Sequence, residues 1–155
     1  MYALLRKPRI LMLSMGTLLN VIGNWSALLA ILAIAATRLH VSALAIAVLT
    51  VSWTLPRAVL GPVPGSLVDR FGPKRVLYLA YFADAVLTLG FIVANSYGLL
   101  LVLGALHGMV FACSMPAENA VPAQAVSPDE LPAVDTLFAT SMQLGVVVGP
   151  VLGAG

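Results

Sequence analysis

Arg57 and Asp84 each fall inside a long apolar run, where hydrocarbon leaves little room for charge. An unpaired charge at a bilayer centre costs roughly a few kcal/mol, so such residues mark ion pairs, proton relays or substrate paths. Their depths match: Arg57 precedes Asp69 by about 18 Å of helix, and Asp84 follows Arg75 by about 14 Å. The comparison predicts a buried Arg57–Asp84 pair. The alternatives are that each charge faces a water-filled cavity separately, or that Asp84 alone carries a proton. His107 sits between Gly104 and Gly108 in another apolar run, where it could take up a proton near neutral pH or act as a packed donor. Asn20 and Asn24 are one helical turn apart beside Trp25, and hydrogen bonds from them to a neighbouring helix are worth about 1 kcal/mol each. Other reactive types are too sparse for catalysis: one cysteine in apolar surroundings (Cys113), two distant histidines, and carboxylates mostly in loops. No catalytic residues, metal site or cofactor are expected. The lack of a phosphate-binding glycine loop argues against an ATPase, and a scattered net charge of +2 argues against nucleic acid.

The elements that must position these residues follow from composition. The sequence is 61% hydrophobic and 9% charged, against about a quarter charged in soluble domains. Apolar runs of about 20 residues match the hydrocarbon thickness at helical rise. Helix is required, because an open sheet edge in lipid leaves backbone groups unsatisfied. Five spans are expected, at 10–36, 41–63, 76–94, 97–115 and 137–155. The basic start with Arg6, Lys7 and Arg9 imitates a secretory signal, but the following run is too long and has no small-residue cleavage site. Arg6, Lys7 and Arg9 precede span one, and Arg70, Lys74 and Arg75 lie between spans two and three, whereas the short opposite loops hold only Arg38. The positive-inside rule then places the N-terminus and both basic clusters in the cytoplasm. The segment 116–136 becomes a cytoplasmic loop. Within it, Ser127 with Glu130 three residues later reads as the start of a short amphipathic surface helix.

Between spans two and three the chain reads GSLVDRFGPKR, with Gly65, Asp69, Arg70, Gly72, Lys74 and Arg75. Gly65 permits close helix approach, Asp69 ends one helix, and Gly72 allows the reversal into the next. Span five carries GVVVGPVLGAG, in which Gly145, Gly149 and Gly153 recur every four residues and Pro150 bends the helix. Glycines at that spacing let helices pack backbone to backbone. The first segment resembles the loop signature of the major facilitator superfamily, and the second its fifth-helix antiporter pattern. The segments LPRAVLGPVPGSLVDRFG and PAENAVPAQAVSPDELPAVDTL are similar to the branch of drug/proton antiporters containing enterobactin exporters and macrolide efflux pumps. Two departures stand out: Pro73 replaces a basic residue of the loop signature, and Ala154 replaces the last glycine of the helix pattern. The missing base is thought to pair with an acid near the end of helix four, where Glu118 could instead meet Lys74 or Arg75.

The resemblance runs over essentially all of residues 1–155 and implies an all-α integral membrane fold. Its five transmembrane helices form a partial N-terminal bundle, multi-pass in the cell inner membrane. It implies secondary active transport, with proton-coupled export of a small amphipathic compound or drug. In the family, helices one and four surround the central cavity, so Asn20, Asn24 and His107 become candidates for facing substrate. Asp69 is implied as a gating charge that meets a helix end of the second half. Each half of such a transporter comprises two inverted three-helix repeats, and spans four and five lack a third member. The expected partners are a small-molecule substrate, protons, the lipid bilayer and a missing C-terminal transporter half. The 155 residues are expected to be a fragment with little transport of their own. A truncated, non-transporting membrane protein and a lysophospholipid transporter of the same superfamily are the alternatives.

Overall fold

A span in lipid has no water to satisfy its backbone, so each apolar run closes its hydrogen bonds internally as helix. A computed structural model of the chain describes residues 7–124 and 126–153. Arg6, Ala154 and Gly155 lie outside the described residues, as does the side chain of Arg9. The elements are α1 (Pro8–Thr37), α2 (Ala43–Leu60), α3 (Val63–Phe71), α4 (Pro73–Ile92), α5 (Tyr97–Ala123), a 3-10 turn (Pro128–Glu130) and α6 (Leu131–Gly153). No strand occurs among the described residues. Among the described residues, five segments are long and apolar enough to cross a bilayer: Ile10–Thr37, Ala43–Leu60, Pro73–Ile92, Tyr97–Val121 and Pro128–Gly153. The protein is a multi-pass all-α membrane protein, as its composition implied.

Proline and glycine set boundaries that hydropathy does not. The expected run 41–63 breaks at Gly61, whose φ of +46° suits a residue without Cβ. Pro62 and Pro64 follow and donate no backbone N–H, so α2 cannot continue through them. The short α3 carries most of the loop motif, leaving Gly72 to make the reversal. Gly72 has φ +82° and donates its N–H to Val68 O at 2.9 Å. Pro73, which replaces the basic residue of the family signature, is buried at the first turn of α4. Its fixed φ and missing N–H suit that position.

The second correction concerns 116–136, expected as a loop. Helix α5 runs through Pro116 to Ala123, and α6 begins at Leu131. A proline removes one ladder bond, and the turns after it pack Ala117, Glu118 and Val121 inward. No separate surface helix forms among the described residues. Ser127 is extended (φ −71°, ψ 158°) and makes no side-chain cap; it leads through the 3-10 turn directly into α6. The Glu130 carboxylate accepts two 2.7 Å hydrogen bonds from Lys7 Nζ and also reaches back to the backbone N–H and hydroxyl of Ser127.

The described chain divides into two units. One is Ala30–Ala117, holding α2, α3, α4 and most of α5. Here glycines on α5 bring backbones together. A Cβ on Gly108 would collide with the carbonyl oxygen of Trp53, and one on Gly104 would lie 3.1 Å from Ser52 Oγ. Tyr97 Oη donates to Ala45 O at 2.8 Å, fastening the start of α5 to the first turn of α2. The other unit takes the described parts of Met1–Leu29 and Glu118–Gly155. Ile10 and Val134 form its small buried cluster with Val126, Ala133, Leu137 and Phe138 around them. Large apolar side chains such as Leu44, Val59 and Ile92 point outward, as lipid-facing surfaces do.

Gly108→Ala is expected to destabilise the protein by about 1–3 kcal/mol, because Trp53 backbone must move to admit the methyl group. Gly98→Ala, on the same helix with open space at its Cβ, is expected to be neutral or stabilising. Unfolding of both variants by SDS titration in mixed micelles checks the contrast; equal effects would remove the close-approach explanation.

Candidate functional site

Helices α2, α4 and α5 assemble one polar site in the Ala30–Ala117 unit. His107 is fully buried, and its Nδ1 lies 2.7 Å from Asp84 Oδ1, whose side chain is 13% exposed. The contact is close but imperfectly aligned for a hydrogen bond. Trp53 covers the imidazole, with ring centroids 4.0 Å apart and planes tilted by 41°. Phe91 stacks on Trp53 at 6.0 Å and lies 6.2 Å from the imidazole. The site therefore brings an imidazole and a carboxylate together inside an aromatic wall.

The expected Arg57–Asp84 pair does not form. The Arg57 guanidinium instead sits 4.4 Å above the Phe111 ring, a cation–π contact. Equal depth was the right quantity applied to the wrong helix. On α2, Trp53 and Arg57 are one turn apart, and they meet His107 and Phe111, also one turn apart on α5. The α5 partner was legible by the same measure. Asp84 lies eleven residues before Asn95 and His107 eleven after Ser96 (95 − 84 and 107 − 96), so both stand about 17 Å from the tight turn joining α4 and α5. Complete burial also corrects the expectation that His107 faces substrate: its surroundings are protein side chains.

The loop motif is arranged differently from its expectation in one respect. Nothing lies within 4 Å of a Cβ built on Gly65, so no close helix approach requires that glycine. Asp69, Lys74 and Arg75 are exposed, and none forms an ion pair among the described residues, while Arg70 lies 5.3 Å over the Phe71 ring. Glu118, the acid considered for Lys74 or Arg75, is 6% exposed.

In the other unit α6 lies along α1 on the glycine face. A Cβ on Gly145 would lie 2.6 Å from Val21 Cγ1, on Gly149 2.6 Å from Trp25 Cβ, and on Gly153 2.8 Å from Ser26 Cα. Ser26 Oγ donates to Gly149 O at 2.8 Å, and Pro150 follows inside the helix. All three glycines are thus needed for approach, unlike Gly65. Asn24 is buried and donates to Asn20 O at 3.0 Å and Asn20 Oδ1 at 3.2 Å, so part of its bonding capacity is met within α1. A cavity of about 320 Å³ opens in this unit, lined by Thr17, Glu118, Asn119, Asp135, Phe138 and Met142. Sequence reading missed Glu118 and Asp135 as cavity residues because it placed both in a loop.

Removing either partner of a buried pair typically costs about 3–5 kcal/mol, so Asp84→Ala and His107→Ala are each expected to destabilise by that order. In a double-mutant cycle the two losses should be strongly non-additive. Arg57→Ala and Asp84→Ala should add within about 0.5 kcal/mol. The reverse pattern would restore the Arg57–Asp84 pair.

Comparison with known proteins converges on one family. The family pattern described as Major Facilitator Superfamily matches residues 13–155. Over 98 residues the chain is 35% identical to the uncharacterized MFS-type transporter YfiS of Bacillus subtilis (strain 168). That stretch is 63% of this chain and 24% of the relative, so the chain spans about a quarter of the relative's length. With the family pattern covering residues 13–155, which includes all five apolar helices except the first residues of α1, this chain belongs to the Major Facilitator Superfamily.

Proposed function

We propose that these helices are part of a secondary transporter that exports a small amphipathic compound in exchange for protons. The observation that carries this reading is the cavity of about 320 Å³ beside the α1–α6 contact. Phe138 and Met142 offer it an apolar wall, and Thr17, Asn119, Glu118 and Asp135 offer hydrogen-bonding and charged groups. That mixture suits a molecule with an apolar body and a polar end. The glycine face of α6 seated on α1 supports the antiporter branch, since it is that branch's pattern that Gly145, Gly149, Pro150 and Gly153 resemble. Asn20 and Asn24 lie on α1 one and two turns beyond Thr17 and are proposed to extend the substrate path. The basic residues of the loops support a cytoplasmic N-terminus in the cell membrane.

Alternating access requires one bundle to rock against another. Five spans supply less than one bundle, so the activity is assigned to an assembly with a second half. Asp69 is the proposed gating charge: an anion near a helix N-terminus is worth about 0.3–2 kcal/mol, enough to shift a near-balanced equilibrium several-fold.

Inverted membrane vesicles carrying the full-length protein and an imposed proton gradient test this reading, with fluorescent dye and labelled lysophospholipid as alternative cargoes. Gradient-dependent dye uptake is expected. Uptake of the lipid alone would make the protein a lipid transporter, and uptake of neither would contradict transport. Asp69→Asn is expected to insert normally and lose most dye uptake; wild-type uptake by this variant would leave the loop as a topology signal only. The 155-residue chain alone in liposomes is expected to move no dye.

A further inference from the structure

We infer that His107 and Asp84 together form the proton-binding site that couples transport to the proton gradient. This rests on the proton-coupled reading above and names its site. Three features of the pair carry the inference. His107 is fully buried and Asp84 nearly so, and 2.7 Å separates Nδ1 from Oδ1. A neutral imidazole beside a carboxylate leaves a net charge of −1 in the interior; one added proton on the imidazole makes an imidazolium–carboxylate pair of net charge zero. Proton uptake therefore changes the buried charge of the α2–α4–α5 unit by one, and buried charge is the quantity a low-dielectric interior resists most strongly. Trp53, at 4.0 Å, can stack on a neutral imidazole and can also hold an imidazolium by cation–π attraction, so both states have a place to sit.

The other titratable groups on these helices have their own positions. From α2, Arg57 is engaged with Phe111. On α4, Tyr81 lies one turn before Asp84 and is itself engaged in an interaction. On α5, Cys113 is half-buried about 1.7 turns beyond His107. The proton itself is the ligand: it enters from water, binds imidazole nitrogen, and leaves to water on the other side without any bond to substrate. Trp53 packs both against the ring and, through its carbonyl, against Gly108, so a change in charge at His107 bears directly on the α2–α5 contact. That contact is a packed, close-approach interface, the kind of element that holds discrete arrangements.

The full-length protein in proteoliposomes, with ethidium as a fluorescent amphipathic cation, tests the site through two readouts. One is accumulation driven by a pH gradient; the other is ethidium exchange at equal pH on both sides, measured across a pH series. Wild type is expected to accumulate ethidium with the gradient, and its exchange rate is expected to vary with pH. His107→Gln and Asp84→Asn are each expected to lose accumulation while exchange persists and becomes insensitive to pH. Accumulation by either variant at the wild-type level overturns the assignment. Loss of exchange together with accumulation in both variants also overturns it, since the pair is then structural. If wild type exchanges ethidium but ignores the gradient, proton coupling itself fails, and this site falls with it.

Discussion

The approach of Gly108 to the carbonyl of Trp53 is the contact on which the α2–α4–α5 unit depends. Apolar side chains gain little by leaving lipid for another helix, so association in a bilayer rests on close van der Waals packing and a few polar contacts. With no Cβ at position 108, α2 can lie against α5 at backbone distance. That register puts the Trp53 ring on His107 and the Arg57 guanidinium on Phe111. Helix α4 joins through Phe91, stacked on Trp53, and through Asp84 against His107. A side chain at 108 would shift every one of these contacts together.

The same physics recurs in the unit that contains α1 and α6. Gly145, Gly149 and Gly153 form a stripe with Val21, Ile22, Trp25 and Ser26 against it, and the Ser26 hydroxyl ties the stripe to the Gly149 carbonyl. At the end of this unit Lys7 and Glu130 meet in an ion pair at 2.7 Å. Both side chains are substantially exposed, so solvent screening leaves that pair a small role in stability. The glycine stripe, not the ion pair, fixes how α1 and α6 meet.

Spans were legible because bilayer thickness constrains length and composition together, and five apolar runs became five long helices. Boundaries were less so. The segment from Pro116 was expected as a loop, yet the buried turns after it keep α5 helical, and the helix start at Ser127–Glu130 leads into α6 instead of a separate surface helix. Gly61 and Gly72 both adopt positive φ, but only Gly72 stood inside a recognisable motif. At the polar site, residue type and depth were readable and partner identity was not. Depth along a helix says nothing about which face a residue occupies, so matching Arg57 to Asp84 by depth alone named the wrong partner and passed over His107. The glycines at 104 and 108 were visible, but a glycine pair announces packing without naming its partner.

The charge arrangement inside the α2–α4–α5 unit is the centre of this account, because both its stability and its proposed role in coupling depend on which groups touch Asp84. Dipolar recoupling by solid-state NMR measures that directly in lipid bilayers. The chain holds two histidines, six arginines and four aspartates, so ¹⁵N-histidine, ¹⁵N-arginine and ¹³C-carboxyl-aspartate labelling gives few signals, and His107→Gln, Arg57→Gln and Asp84→Asn assign them. The expected result is strong dephasing of the His107 Nδ1 signal by the Asp84 carboxyl carbon, consistent with the 2.7 Å contact. Recoupling of the Asp84 carboxyl to the Arg57 guanidinium, with none to His107, would contradict it.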